Sequence, residues 1–281
     1  MKPPIAKIFG LSIFAGTKDQ FFHLLANHLD RSQPTWLVAT PNPEQVVLTL
    51  ESPTFKKYLN RFDWQIPDGI GLVKAASWLY RRKRIDRPLK ERITGVEVVS
   101  WLLKQAKVNN LRVLVIGGRG YGGKELPTLP SWQEKDGVGQ LKVVDVGQLK
   151  PSEVVGFSEQ KSIDHIFWLE GYQDKYHPTK KEETVLIKVV KKLKPNVILV
   201  AFGAPVQEKW LVDHRLLLDK VGVSLGLTIG GAMDMILGLV PRAPALLQTM
   251  GLEWLWRLVL EPWRWRRQLK LLKFIWLVIR D

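Results

Sequence analysis

Short apolar runs closed by turn residues alternate along the chain with segments whose apolar residues recur every three or four positions. The runs end near Thr40, Pro67, Gly117, Val146, Glu170, Phe202 and Thr228. Each is rich in Val, Ile, Leu or aromatics, as buried strands are. Between them, Asp19 to Leu29 places Phe21, Phe22, Leu25 and Leu29 at helical spacing, and Glu182 to Leu193 puts Leu186, Val189, Val190 and Leu193 on one face. Glu44 to Leu50 and Gly69 to Tyr80 also read as helices. Strand–helix alternation predicts an α/β fold, a mostly parallel sheet with helices on both faces. There is no internal repeat. The stretch 121–161, rich in Gly, Pro, Lys and Gln, is the least legible.

The pattern changes after Asp234. Residues 252–279 hold five of the twelve tryptophans, interleaved with Arg257, Arg264, Arg266, Arg267, Lys270 and Lys273. Pro262 divides the segment into two helical pieces. Tryptophan and arginine on helices too short to span a bilayer suit a membrane interface. The same composition suits a helical pair packed on the sheet, or aromatics stacking on bases. The expected organisation is a core over 1–240 and a helical appendage over 241–281.

Composition narrows the classes. Of 281 residues 46% are hydrophobic and 25% charged, so the chain can bury a core. Cysteine is absent, which removes disulfides, thiolate metal sites and cysteine nucleophiles and fits a reducing compartment. The first seven residues lack the apolar core of a secretory signal. No apolar stretch approaches the ~18 residues of a membrane span. The net charge of +15 favours anionic partners: nucleic acid, acidic lipid or phosphorylated substrates. That charge clusters at Arg81-Arg82-Lys83-Arg84 and in the last forty residues.

Candidate chemistry gathers at strand ends, where open α/β sheets place it. Asp68, in Asp68-Gly69-Ile70-Gly71, follows one strand. Thr40 and Asn42, in Thr40-Pro41-Asn42-Pro43-Glu44, follow another. Both are also ordinary turn sequences. Gly203-Ala204-Pro205-Val206-Gln207-Glu208 and Gly230-Gly231-Ala232-Met233-Asp234 are two further strand ends, whose glycines allow close backbone approach. Gly118-Arg119-Gly120-Tyr121-Gly122-Gly123, with Asp145 beyond, has the dinucleotide spacing. Pro127 and Pro130 interrupt the helix that such a site requires, yet a nicotinamide oxidoreductase stays open as the rival class, as does a non-catalytic lipid- or nucleic-acid-binding module. The five histidines include no H-x-x-x-H pair and no two aspartates stand two apart, so no metal site is expected. A diphosphate would be met by arginine, lysine and backbone N–H groups, with Arg92 in Glu91-Arg92-Ile93-Thr94-Gly95 best placed.

Taken in order, these blocks resemble the WecG/TagA/CpsF glycosyltransferases. The C-terminal Arg242-Ala243-Pro244, Gly251-Leu252-Glu253-Trp254-Leu255-Trp256-Arg257 and Glu261-Pro262 extend the match to most of the chain. The resemblance implies a Rossmann-like, inverting, metal-independent hexosyltransferase that needs no cofactor. It implies transfer from a UDP-sugar, N-acetylmannosamine or a related hexose, to a polyprenyl-diphosphate-linked acceptor in cell-surface polysaccharide synthesis such as that of teichoic acid. The expected catalytic base is Asp68. Thr40, Asn42, Arg92, Gln207, Asp234, Arg242, Arg257 and Arg264 are the expected substrate-binding residues. The appendage is expected to dock on an anionic membrane surface at the inner, cytoplasmic face, without nucleic acid; a homo-oligomer is compatible with this. Four departures stand out: the basic stretch 81–86 between Asp68 and Arg92, the length of 121–161, Leu169 and Glu170 before Gly171-Tyr172 where histidine is usual, and Met233 where an aromatic precedes the aspartate.

Overall fold

The computed structural model describes residues 3–29, 34–118, 142–143, 165–262 and 265–280. The strands are β1 (Ile5–Ile8), β2 (Leu11–Phe14), β3 (Trp36–Ala39), β4 (Trp64–Gln65), β5 (Val113–Ile116), β6 (Lys142–Val143), β7 (Ile166–Leu169), β8 (Val197–Val200) and β9 (Leu225–Thr228). The helices are α1 (Lys18–His28), α2 (Pro43–Glu51), α3 (Pro53–Leu59), α4 (Ile70–Arg81), α5 (Gly95–Val108), α6 (Lys180–Leu193), α7 (Val206–Val221), α8 (Ala232–Ile236), α9 (Ala245–Met250), α10 (Glu253–Leu260) and α11 (Trp265–Arg280).

The strands form one sheet in the order β1-β2-β4-β3-β9-β8-β5-β7-β6. The β1–β2 pair is antiparallel and every other pair is parallel. Side chains alternate across the central strands, as the period of two demands. Leu114, Ile116, Ile198 and Val200 face one apolar layer, with α2, α3, α4, α6, α7 and α11. Val113, Val115, Val197 and Leu199 face the other, with α1, α5 and α8. The predicted mostly parallel α/β sheet with helices on both faces is therefore observed. The expected strand ends at Thr40, Pro67, Gly117, Glu170, Phe202 and Thr228 agree with the structure to within two residues; the one at Val146 lies outside the described residues. The amino-terminal hairpin β1–β2 and helices α3 and α5 were not anticipated.

Local chemistry fixes the helix starts near the sheet's carboxyl edge. Asn42 caps α2, its Oδ1 accepting from Gln45 N–H at 2.9 Å, while Gln45 Oε1 accepts from Asn42 N–H at 3.3 Å. Thr94 and Glu97 form the same reciprocal box at α5. Gly69 precedes α4 with φ of +103°, a conformation that disfavours any side chain. Asp68-Gly69 is therefore the turn that lets α4 leave the sheet.

Pro262 separates α10 from α11, as its place in the sequence requires. α11 folds back onto the core. Phe274, 2% exposed, and Val278 join the same apolar layer as Ala6, Ile8 and Leu37. Among the described residues no helix is long and apolar enough to cross a membrane.

Candidate active site

The carboxyl ends of β3, β4, β8 and β9 open into one cavity of about 830 Å³, roofed by α10 and α11. Each strand end supplies a loop, and the loops are tied together beneath it. Gln207 Oε1 accepts from Gly203 N–H at 3.0 Å and from Gly230 N–H at 3.2 Å. Its Nε2 donates to Glu208 Oε1 at 2.9 Å, which also accepts from Gln45 Nε2 at 3.3 Å. One amide and one carboxyl thus hold the loops after β3, β8 and β9 in register. Thr40 adds a further tie, its hydroxyl donating to the Thr228 carbonyl at 3.2 Å.

Asp68 stands on this floor, partly buried and lining the cavity. Its backbone N–H donates to the Pro41 carbonyl at 3.0 Å, which sets the β4 loop against the β3 loop. Burial pushes its carboxyl up to about 7, and the like charges of Glu253 and Glu97 push the same way. Arg92 and a hydrogen bond from Gly95 N–H, at the start of α5, oppose the rise without cancelling it. A carboxyl half-ionised near neutrality and open to a cavity can take a proton.

Arg92 reaches across the cavity to the roof. Its Nη1 pairs with Glu253 Oε2 at 3.1 Å, and its Nη2 donates to Gln248 Oε1 at 3.5 Å. Arg242 and Arg257 also line the cavity, and the Nε of each is buried with no hydrogen-bond partner among the described residues. Arg257 Nη2 pairs with Glu261 Oε2 at 3.2 Å. Asp234 lies close to Arg257: a Cβ added at Gly231 would meet Asp234 Oδ2 at 3.0 Å and Arg257 Nη2 at 3.4 Å. Buried N–H donors without acceptors are costly unless a ligand or water meets them. Two arginine side chains lining one cavity suit an anionic group.

Of the predicted residues, Asp68, Thr40, Asn42, Arg92, Gln207, Asp234, Arg242 and Arg257 all line this cavity. Arg264 lies outside the described residues. Gln207 differs from expectation in how it is engaged: its carbonyl oxygen and amide nitrogen are both bonded to protein groups, so it positions the floor. Of the dinucleotide-like motif Gly118 is described and lines the cavity, while 119–123 and Asp145 lie outside the described residues. Glu253, noted only as part of a family block, and Gln268 both line the cavity without having been expected there. They reach the site through the fold-back of α10 and α11. Glu208, in the first turn of α7, is fully buried in the floor. Among the described residues no group of three or more His, Cys, Asp or Glu side chains is placed to hold a metal ion.

Comparison with known proteins gives the family. Residues 6–124 and 165–281 match the model of the glycosyl transferase WecG/TagA/CpsF family. Among similar curated proteins is the N-acetylglucosaminyldiphosphoundecaprenol N-acetyl-beta-D-mannosaminyltransferase of Bacillus subtilis (strain 168), 29% identical over 93% of this chain and 86% of its own length. Proteins of the same name from Bacillus spizizenii (28% identical, 92% of this chain, 84% of its own) and Staphylococcus aureus (strain NCTC 8325; 25%, 85% and 76%) follow. With the match running from the first strand to the last helix, the chain belongs to the WecG/TagA/CpsF family of glycosyltransferases.

Proposed function

We propose that the cavity transfers a sugar of the N-acetylmannosamine type, or a related hexose, from a UDP-sugar to a sugar linked through a diphosphate to a polyprenyl lipid. The observation that carries this reading is Asp68: a cavity-facing carboxyl held near half-ionisation at neutral pH, with guanidinium groups across the same cavity. The names of the curated relatives support the choice of acceptor and sugar.

In the proposed step an acceptor hydroxyl oxygen attacks the anomeric carbon. The bond from that carbon to the diphosphate oxygen breaks, and UDP departs with the electron pair from the opposite face, inverting the centre. The hydroxyl proton passes to the Asp68 carboxylate. Arg92, Arg242 and Arg257 meet charge on the diphosphates, Arg92 after exchanging Glu253 for substrate. No metal or cofactor takes part. Thr40 and Asn42 shape the wall that holds the sugars, and Gln207 keeps that wall in place. Residues 1–240 act as the transferase core, and 241–281 as a roof that rests on anionic lipid at the inner face of the membrane. Orientation of the two sugars supplies part of the acceleration.

The test is Asp68→Asn, assayed for UDP release with a UDP-sugar and a lipid-diphosphate acceptor. The variant should fold normally and lose about 10²–10⁴ in kcat, the range of general-base catalysis. Turnover within threefold of wild type in a folded variant would remove Asp68 from the mechanism.

A further inference from the structure

Beyond its polar floor the cavity continues between two helix faces. On α4 the lining positions are Ile70, Gly71, Lys74, Ala75 and Trp78; on α11 they are Gln268, Leu271, Phe274, Ile275, Val278 and Ile279. Both sets recur at three- and four-residue steps, so each is one continuous face. The far ends of the helices meet, since Arg82 Nη1 donates to the Ile279 carbonyl at 3.4 Å. α4 begins two residues after Asp68, and Gly251 packs closely on Ile70 at its first turn. The two walls therefore run outward side by side from the catalytic end. At about 1.5 Å per residue they extend about 12 Å along α4 and about 16 Å along α11.

Polarity changes along this groove. Its inner end holds Asp68, Gln268 and the side chains of Arg242 and Arg257. Its outer half is lined by Ala75, Leu271 and Val278, then by Trp78, Ile275 and Ile279 at the mouth, which are 42%, 47% and 58% exposed. Leu272 and Trp276, both exposed, lie on the same helix beside the mouth. An anion-facing end and an apolar arm that opens among exposed apolar side chains match a ligand with a charged head and a hydrocarbon tail. Such a mouth lets the tail pass into lipid without crossing water.

We propose that the α4–α11 groove binds the first isoprene units of the acceptor's polyprenyl chain, with the diphosphate turned inward to the arginines. The inference rests on the acceptor class proposed above and adds where the lipid lies and which residues read it. The chain then stays in apolar contact from the protein to the bilayer while its sugar reaches Asp68.

The experiment compares two acceptors with the same sugar diphosphate head, one ending in a short alkyl group and one in a long prenyl chain. Both are assayed with the full chain in detergent. Wild type should favour the prenyl acceptor at least tenfold in kcat/KM. Trp78→Ala and Ile275→Asp, at half-exposed positions that tolerate change, should each remove most of that preference while altering the short-acceptor rate less than twofold. Equal losses on both acceptors, or an unchanged preference, would overturn the groove. Transfer by wild type to both acceptors at one rate would overturn it too, leaving the catalytic reading intact; transfer to neither would sink that reading and the groove with it. A prenyl diphosphate with a photoreactive first isoprene unit should label 70–78 and 268–279. Label confined to the outer face of α10 would count against the assignment.

Discussion

Asp68 holds its proton to about pH 7 because burial opposes its charge and Glu253 adds a like charge, while Arg92 and Gly95 N–H compensate in part. A base must be ionised to act, so kcat/KM should rise with pH through a limb near 7. Glu253→Gln removes a charge that raises the carboxyl, so that limb should move to lower pH in rate–pH profiles. An unmoved limb would mean that another group sets it. Glu208 has the opposite use for a raised carboxyl. Fully buried, it too is pushed up to about 7, mainly by desolvation. Its folded value lies above its unfolded one, so the folded state keeps the proton longer. Its contribution to stability is present below about pH 4.5 and is lost as pH rises through about 7. Glu208→Gln, which resembles the protonated form, should flatten the fall of Tm over that interval, by roughly 1–3 kcal/mol in stability at pH 8. Thermal melts across pH read this directly. At this scale the sequence was most legible where a turn announced itself, at Asp68, Thr40 and Asn42. It was least legible where a residue acts through distant partners: Gln207 and Glu208 bond to loops, and Glu253 to Arg92 161 positions away.

The helices with long apolar periods could be read at once, and α1, α2, α4 and α6 begin and end within two residues of expectation. The amino-terminal hairpin could not. Its strands are four residues each and its turn is Phe9-Gly10, with Phe9 itself at φ of 50° rather than a usual turn residue. β4, whose end the run closed by Pro67 did mark, is only two residues long and is placed by its neighbours β2 and β3. For the carboxyl-terminal helices, composition left packing and membrane contact equally open, and α11 has a face for each. Phe274 and Val278 pack inward while Leu269, Leu272 and Trp276 face out. Phe274→Ala should therefore cost about 3–5 kcal/mol, as large-to-small changes in a tight core do, read by denaturant unfolding. A loss below about 1 kcal/mol would mean that α11 is not held by the core.

Over the whole molecule, the roof carries exposed apolar side chains and has positive charge beside it. Val259, Leu269 and Leu272 are exposed on α10 and α11, and the exposed basic residues 81–84 follow α4, whose end touches α11. A basic residue near an anionic bilayer contributes about 1 kcal/mol, and buried apolar side chains add to it. The full chain should sediment with anionic vesicles, less so as salt rises. Val259→Glu with Leu272→Glu should weaken that binding at least tenfold with little change in Tm; sedimentation unchanged from wild type would place the docking face elsewhere.

The packing of Phe274 against Phe9, in the turn between the first two strands, has a consequence for the order of events during synthesis. Translation delivers the chain from its amino terminus, and early segments begin to fold as they emerge. Here the first strands wait for a helix that lies more than 250 residues further along the chain. A nascent polypeptide that has not yet exposed α11 has neither a finished interior nor a roofed pocket.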